Sequence, residues 1–144
     1  MSFGSAARAP RLAAEVPCPC GGGRYGTCCG PILDGAPAPT AERLMRSRFT
    51  AFALGDAEHL ARTWHPSTAP ERLDLDGAPM WEGLEIVRTV DGAAGDRRGT
   101  VEFRAHWRDG ATGERGVLHE TSRFRFAGGR WFYLDGEIDP DART

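Results

Sequence analysis

All four cysteines of this 144-residue chain lie within twelve residues, as two close pairs. Cys18 is paired with Cys20 and Cys28 with Cys29, and the seven residues between the pairs include four glycines. Four thiolates form the donor set of a tetrahedral structural zinc site, and glycine permits the sharp backbone bends that such close ligands require. The spacing therefore predicts a closed, structural zinc site with these four cysteines as ligands.

Other interpretations of the cysteines are a disulfide pair, a redox dithiol or inert buried thiols. Disulfides require an oxidising compartment, whereas residues 1–10 lack the apolar run of a secretory signal. No apolar stretch of about 18 residues predicts a transmembrane helix. A thiol cluster in a cytosolic protein is more often a metal site than a disulfide framework. We therefore expect a cytoplasmic zinc protein without a membrane partner.

The cysteine segment resembles a known zinc-binding motif. Cys-Pro-Cys-Gly-x-Gly, followed by Tyr and then Cys-Cys-Gly, is similar to the SEC-C motif, a zinc knuckle found at the end of the SecA translocation ATPase and in many bacterial proteins. The motif usually has eight residues between its second and third cysteines, one more than this chain has. The SecA knuckle takes part in partner binding, so the resemblance implies a protein partner that contacts exposed Arg24 and Tyr25.

The body of the chain has an α+β pattern. Thr40 is suited to cap a helix that stops at Gly55, and Asp56 caps a second helix, so residues 40–65 are predicted to form a helical pair. From residue 81 onward, apolar and polar residues alternate with period two, which predicts a four-stranded antiparallel meander. Such a sheet buries its apolar face by packing against helices.

This order of elements resembles the cystatin-like cone of the nuclear transport factor family, in which a curved sheet wraps a long helix and leaves a pocket at its open end. The segments 44–52, 63–68, 118–124 and 129–133 are similar to motifs of the YchJ family of uncharacterised bacterial proteins. With the knuckle, this resemblance covers residues 17–136. It implies an N-terminal SEC-C-like knuckle followed by a nuclear transport factor-like cone.

The resulting domain organisation has five parts. Residues 1–16 are predicted to be a mobile tail and residues 139–144 a second tail. Residues 17–30 form the knuckle. Residues 31–39, which contain three prolines, are expected to form a semi-rigid linker. Residues 40–138 form the cone.

Glu120 is the anomaly of the predicted sheet, because it shares a strand face with Leu118, Phe124 and Phe126. A carboxylate on an apolar face must find a partner or accept a raised pKa. One interpretation is a buried structural ion pair between Glu120 and Arg46 or Arg48.

The other interpretation is a polar pocket in the cone. Its candidate residues for ligand binding or acid–base chemistry are Glu120, His65, Arg48 and Ser122, with Trp64, Trp81 and Tyr133 as aromatic walls. His119 alternates to the opposite strand face from Glu120, so the two are not expected to form a dyad.

The net charge limits the classes of partner that the sequence favours. The net charge is −2, which does not favour a nucleic-acid partner. The first hypothesis is a non-enzymatic zinc protein that docks onto a protein partner through the knuckle. The alternative is an enzyme or a small-molecule binder that uses the pocket of the cone.

Overall fold

The structure is a computed structural model that describes residues 10–139; the outer parts of the predicted tails, 1–9 and 140–144, lie outside them. The described chain forms a 3-10 turn, three helices and four strands. In order these are the turn Tyr25–Thr27, α1 Cys29–Leu33, α2 Ala41–Leu54, α3 Ala57–Arg62, β1 Met80–Asp91, β2 Arg98–Arg108, β3 Arg115–Ala127 and β4 Arg130–Ile138.

The four strands pair in the order β1-β2-β3-β4, each antiparallel to the next. The sheet is curved, and α2 packs across β1, β2 and β4 on its concave side. The predicted α+β fold is therefore confirmed. Between residues 10 and 139, no helix is both long enough and apolar enough to cross a membrane.

The α2–α3 pair begins and breaks where the sequence predicts. Thr40 Oγ1 accepts a hydrogen bond from Arg43 N–H at 3.1 Å, and Asp56 Oδ1 accepts one from His59 N–H at 3.0 Å. These bonds satisfy amide groups that have no partner within the helix. Gly55, between the helices, has φ of 75°, the left-handed conformation that ends helices and favours glycine.

The residues after α3 join the sheet instead of extending the helix. Tyr133 N–H donates to Thr63 O at 2.8 Å, and His65 N–H donates to Tyr133 O at 2.7 Å. These bonds make a short parallel bridge between Trp64 and Tyr133. α3 therefore ends at Arg62 rather than at His65, and Trp64 is held against β4.

Residues 10–16 are packed rather than free, unlike the mobile tail that composition suggested. Arg11 Nη1 lies 3.1 Å from Oδ2 of the buried Asp56. Tyr25 N–H donates to Val16 O at 2.9 Å. The partners lie 45 and 9 residues further along the chain, outside the segment itself, so its composition carried no signal of these contacts.

The segment predicted to be a linker, residues 31–39, is also part of the packed body. Its first residues complete α1, in which Ile32 and Leu33 are buried, and Ala38 is buried further on. Pro31 lies in the first turn of α1, where its missing N–H leaves no hydrogen bond unmade. The knuckle is therefore joined to the cone by a segment anchored through three buried side chains and not by a free spacer.

Candidate metal centre and cavity

The four cysteine side chains converge on one point. Their sulfur atoms all lie within 4.8 Å of one another; Cys20 and Cys28 are 3.4 Å apart, and Cys28 and Cys29 are 4.0 Å apart. Four sulfurs around a tetrahedral zinc ion, with Zn–S bonds of about 2.3 Å, are separated by about 3.8 Å. The buried cluster could therefore hold a metal ion of this size, and the seven-residue loop is long enough to form it.

Without a cation, the four thiols do not all ionise. Burial raises the pKa of Cys28 to about 12, and hydrogen bonding with Cys18 raises the pKa of Cys29. The pKa of Cys18 is lowered because Cys20 and Cys29 hydrogen-bond to its sulfur. The cluster thus favours a thiolate at Cys18 and protonated thiols at Cys28 and Cys29. A divalent cation would supply the charge that allows all four thiols to deprotonate.

Helix α2 provides the outer contacts of the cluster. Thr50 Oγ1 donates to Cys29 Sγ at 3.3 Å, and Arg46 Nη1 donates to Cys20 O at 2.9 Å and lies 3.8 Å from its sulfur. Gly22 N–H donates to Cys20 Sγ at 3.3 Å, as expected of a glycine amide. Sequence reasoning missed Arg46 and Thr50. Their four-residue spacing on one helix face was the available signal.

The knuckle, residues 17–30, presents little surface for a partner. Tyr25 is only 4% exposed, which contradicts the expectation that it is accessible beside Arg24. A Cβ at Gly30 would lie 2.8 Å from Tyr25 O, so this glycine allows the tyrosine to pack closely. The tip, Gly21–Arg24, is exposed, and within the described residues Arg24 makes no hydrogen bond to a sulfur.

A cavity of about 140 Å³ lies between α2 and the concave face of the sheet. Its walls are mainly aromatic and aliphatic, with a few polar side chains. The lining residues are Met45, Arg48, Phe49, Phe52, Trp64, Trp81, Phe103, Ala105, Leu118, Glu120, Ser122 and Tyr133. The volume is close to that of an apolar protein cavity that admits benzene.

Of the predicted pocket residues, only His65 lies outside the cavity. Its Nδ1 lies 2.7 Å from Ser67 Oγ, and its ring centroid is 5.8 Å from that of Phe132. The bridge between Trp64 and Tyr133 gives this segment extended geometry, in which neighbouring side chains point to opposite sides. Trp64 therefore lines the cavity, and His65 is directed away from it.

Arg48 is a buried cation in the cavity wall, with only 3% of its surface exposed. Its Nη1 donates to Leu60 O at 2.8 Å and to Thr63 Oγ1 at 2.7 Å. The guanidinium carbon lies 5.0 Å from the ring centroid of Trp64 and 4.4 Å from that of Tyr133, which are cation–π distances. Burial lowers the pKa of Arg48 to about 10, so the group stays charged at neutral pH.

Glu120 makes a different contact from the predicted ion pair. Its Oε2 accepts a hydrogen bond from Ser122 Oγ at 2.9 Å, and within residues 10–139 no ion pair joins it to Arg46 or Arg48. Arg46 contacts the cysteine cluster instead, and Arg48 donates a hydrogen bond to a carbonyl group of α3. Burial raises the pKa of Glu120, while Ser122 and the charge of Arg48 oppose that rise. A Cβ at Gly136 would overlap Glu120 Oε2, so this glycine makes room for the carboxyl group.

Comparison with known proteins identifies the family. A family model described as YchJ, middle NTF2-like domain, matches residues 40–136. The chain belongs to the YchJ family. It is 55% identical over 124 residues to a UPF0225 protein of Streptomyces coelicolor, covering 85% of this chain and 95% of that one. It is 51% identical over 130 residues to a UPF0225 protein of Chromobacterium violaceum, covering 87% and 95%.

Two solved structures resemble this YchJ-family protein. The solution structure of a SEC-C motif containing protein from Rhodopseudomonas palustris has a TM-score of 0.75 and 36% identity, and covers 86% of this chain and 99% of its own. The crystal structure of a SEC-C motif containing protein from Psychrobacter arcticus has a TM-score of 0.67 and 27% identity, covering 92% and 86%. The predicted likeness to YchJ and SEC-C proteins is therefore confirmed.

A second polar cluster of the YchJ-family chain lies on the opposite face of the sheet from Glu120, as predicted for His119. His119 Nε2 is 2.7 Å from Glu102 Oε2, and its Nδ1 is 3.3 Å from Asp139 Oδ2. These three side chains are also close enough to share a metal ion. With protein partners at both ring nitrogens, His119 links β3 to β2 and to the end of β4.

Proposed function

We propose that this YchJ-family protein binds a ring-sized organic molecule in the cavity of its cone, and that a zinc ion held by the four cysteines is structural. The cavity is the observation that carries the proposal. Ligand sites are concave and mostly apolar, with a few placed polar groups. Arg48, Glu120 and Tyr133 are such groups in a largely aromatic wall.

The structural role of zinc follows from the donor set. When all four ligands come from the protein, no coordination position is open for substrate or water. Thr50 and Arg46 contact the ligating residues from α2, so the ion would fasten the knuckle to the helix that also supplies Arg48. The four thiols are free, and thiols remain reduced in the cytosol, which is where we place the protein.

Docking of a partner protein through the knuckle is the second candidate function. The exposed tip, Gly21–Arg24, is the feature that favours it. The buried Tyr25 reduces the available surface, so Arg24 becomes the central residue of this candidate. If Arg24→Ala left every partner captured by the holo protein bound, the knuckle would have no docking role.

Thermal stability in the presence of ring-sized compounds tests the cavity proposal. A ligand at a hundred times its Kd stabilises the folded state by about 2.7 kcal/mol, which shifts Tm by several degrees. Ala105→Leu fills the cavity, because Ala105 lines it and is buried. Ala38→Leu is the matched control, since Ala38 is buried but does not line the cavity.

The expected result is a Tm increase for the natural protein and for Ala38→Leu, and none for Ala105→Leu. Equal Tm shifts in both variants would mean that the compound binds outside the cavity. A broad set of ring-sized acids, amides and amines that leaves Tm unchanged would contradict the proposal.

A further inference from the structure

Within residues 10–139, Arg48 uses one of its three guanidinium nitrogens for hydrogen bonding. Nη1 donates to Leu60 O and to Thr63 Oγ1, whereas Nε and Nη2 donate to no group within the described chain. Nε and Nη2 share one edge of the guanidinium plane. That edge can form two parallel hydrogen bonds with a carboxylate.

No carboxylate of the described residues occupies this edge. Glu120 is the one acidic side chain in the cavity wall, and its Oε2 accepts from Ser122 rather than from Arg48. The charge of Glu120 acts on Arg48 through space, and the ring faces of Trp64 and Tyr133 also stabilise the cation, but neither fills the free edge with a hydrogen bond. The cavity wall therefore contains a cation that, among the described residues, has one unbonded edge and no direct ion pair.

Aromatic and aliphatic side chains make up most of the remaining cavity wall, in which the buried indole N–H of Trp81 has no hydrogen-bond partner among the described residues. Phe49, Phe52 and Trp81 form an aromatic group, with ring centroids of Phe49 and Phe52 at 6.3 Å and 6.4 Å from that of Trp81. Leu118 and Ala105 complete the wall on the sheet. A cavity of about 140 Å³ has room for a ligand whose apolar part is a single ring, since an apolar protein cavity of similar volume binds benzene.

On the basis of the proposed ligand site, we infer that the ligand is a small monocarboxylic acid with a ring-sized apolar body. Its carboxylate pairs with Nε and Nη2 of Arg48, and its body contacts Phe49, Phe52 and Trp81. A second carboxylate on the body would find no cationic side chain other than Arg48 among the described lining residues, so the inference is limited to monoacids.

Glu120 makes this binding depend on pH. A ligand carboxylate at Arg48 brings a second carboxyl group near Glu120, and two such groups resist ionising together. Burial already raises the pKa of Glu120; the polar and charged groups that face it are Arg48 from α2, Ser122 from β3 and Tyr133 from β4. Glu120 is therefore expected to take up a proton on binding, and affinity is expected to fall as pH rises.

Calorimetry on the zinc-loaded protein tests the inference, with benzoate, benzamide and benzylamine as probes of equal size and different charge. Benzoate is expected to bind at least tenfold more tightly than benzamide, and benzylamine is expected not to bind. The affinity for benzoate should fall as the pH rises from 6 to 8, and it should fall more than in a variant that lacks the Glu120 carboxyl group. Titrations in two buffers of different ionisation enthalpy should show proton uptake at pH 7.

Two variants distinguish the roles of Arg48 and Glu120. Arg48→Lys keeps the charge but removes the paired donors, and is expected to lose the preference for benzoate over benzamide. Because Arg48 also supports α3, Glu120→Gln serves as the second variant. It should bind benzoate with affinities at pH 6 and pH 8 within threefold of each other.

The outcomes separate this inference from the proposed function. Benzamide binding as tightly as benzoate, and blocked by Ala105→Leu, would overturn the carboxylate inference and leave the ligand site standing. Benzoate binding that persists in Ala105→Leu would also overturn the inference, because the acid would occupy another site. Failure of every ring-sized compound to bind would remove the proposed function itself.

Discussion

Gly136 determines where the carboxyl group of Glu120 can lie. Gly136 is the cross-strand partner of Ser122, and a Cβ on it would lie 3.2 Å from Tyr133 Oη as well as overlapping Glu120 Oε2. Gly136 does not have the positive φ found at the turn glycines. An alanine there would therefore be disfavoured by the overlap and not by backbone strain.

Gly136→Ala is expected to lower the free energy of unfolding by about 1 kcal/mol, the low end of the range for overpacking, because the overlapped atoms are the far end of the flexible Glu120 side chain. Urea unfolding of this variant, of Glu120→Ala and of the double variant measures the coupling. Because Glu120→Ala removes the overlapping atoms, Gly136→Ala should cost much less in that background. Additive effects would show that the carboxyl group does not lie over Gly136.

His59 is a buried, neutral imidazole. Arg62 Nη2 donates to its Nδ1 at 3.0 Å, and its Nε2 lies 2.9 Å from Ser47 Oγ. The Ser47 hydroxyl donates its proton to Leu44 O at 2.8 Å, so Nε2 carries the imidazole proton. Burial, followed by the charge of Arg62, lowers the pKa of His59 to about 4.

This lowered pKa links stability to pH. The unfolded chain, with a histidine pKa of about 6.5, binds the proton more tightly than the folded chain. The contribution of His59 is therefore fully present above pH 6.5 and is lost as pH falls toward 4, by roughly 3 kcal/mol. Titration of the His59 ring by NMR should give a midpoint near pH 4; a midpoint near 6.5 would show that the ring is not held neutral by burial.

Among the described secondary-structure elements, α2 is the one that contacts both the cysteine cluster and the cavity. One face of this helix contacts the cysteine cluster through Arg46 and Thr50. Arg48, on another face, lines the cavity. Polar residues that support metal ligands typically change metal affinity by 10- to 100-fold when they are removed.

Thr50→Val is expected to weaken zinc binding about tenfold, because valine keeps the shape of threonine but cannot donate to Cys29 Sγ. Competition with a chelating dye measures the affinity. Thr89→Val, at an exposed position of β1, is the control for the substitution itself. Equal affinities in the two variants would mean that the hydrogen bond from α2 does not support the site.

The sequence predicted the order of elements but not the irregularities of the strands. In β1 a register shift between Ile86 and Arg88 adds one residue. A one-residue shift moves every later side chain to the other face. Val90, predicted on the same face as Ile86, is consequently exposed. Bulges depend on the partner strand, so the alternation of one strand cannot reveal them.

The two candidate sites were predictable to different degrees, because one depends on neighbouring residues and the other on contacts between distant parts of the chain. The cysteine cluster is local in sequence, so the convergence of its four thiols was predictable from spacing alone. The cavity combines α2, the end of α3 and all four strands. Sequence patterning placed Glu120 and Ser122 on its inner face, but the bridge that directs His65 away from it links residues 68 positions apart in the chain, His65 and Tyr133.

At the scale of the whole molecule, the knuckle and the cone form one packed body. The buried core is continuous from Cys18 and Tyr25 through α2 to the sheet residues Val101 and Phe124. Loss of the metal would therefore affect packing well beyond the cysteine loop.

Removal of zinc by a strong chelator is expected to lower the free energy of unfolding by several kcal/mol, because the unfolded chain has no preformed site and metal binding therefore favours the folded state. Native mass spectrometry should show one zinc ion per chain before chelation and none after it, with a lower Tm for the metal-free protein. A protein isolated without metal, whose Tm does not respond to chelator, would contradict a structural zinc site.

The central claim, that a ligand binds inside the cone, is tested most directly by the NMR signals of the four tryptophan indole N–H groups. Trp64 and Trp81 line the cavity, whereas Trp107 and Trp131 do not. Addition of benzoate, with benzamide in a parallel titration, should shift the signals of Trp64 and Trp81 to saturation and leave the other two unchanged. If neither compound shifts the first pair, or if the shifts appear at Trp107 and Trp131 instead, the cavity is not the binding site.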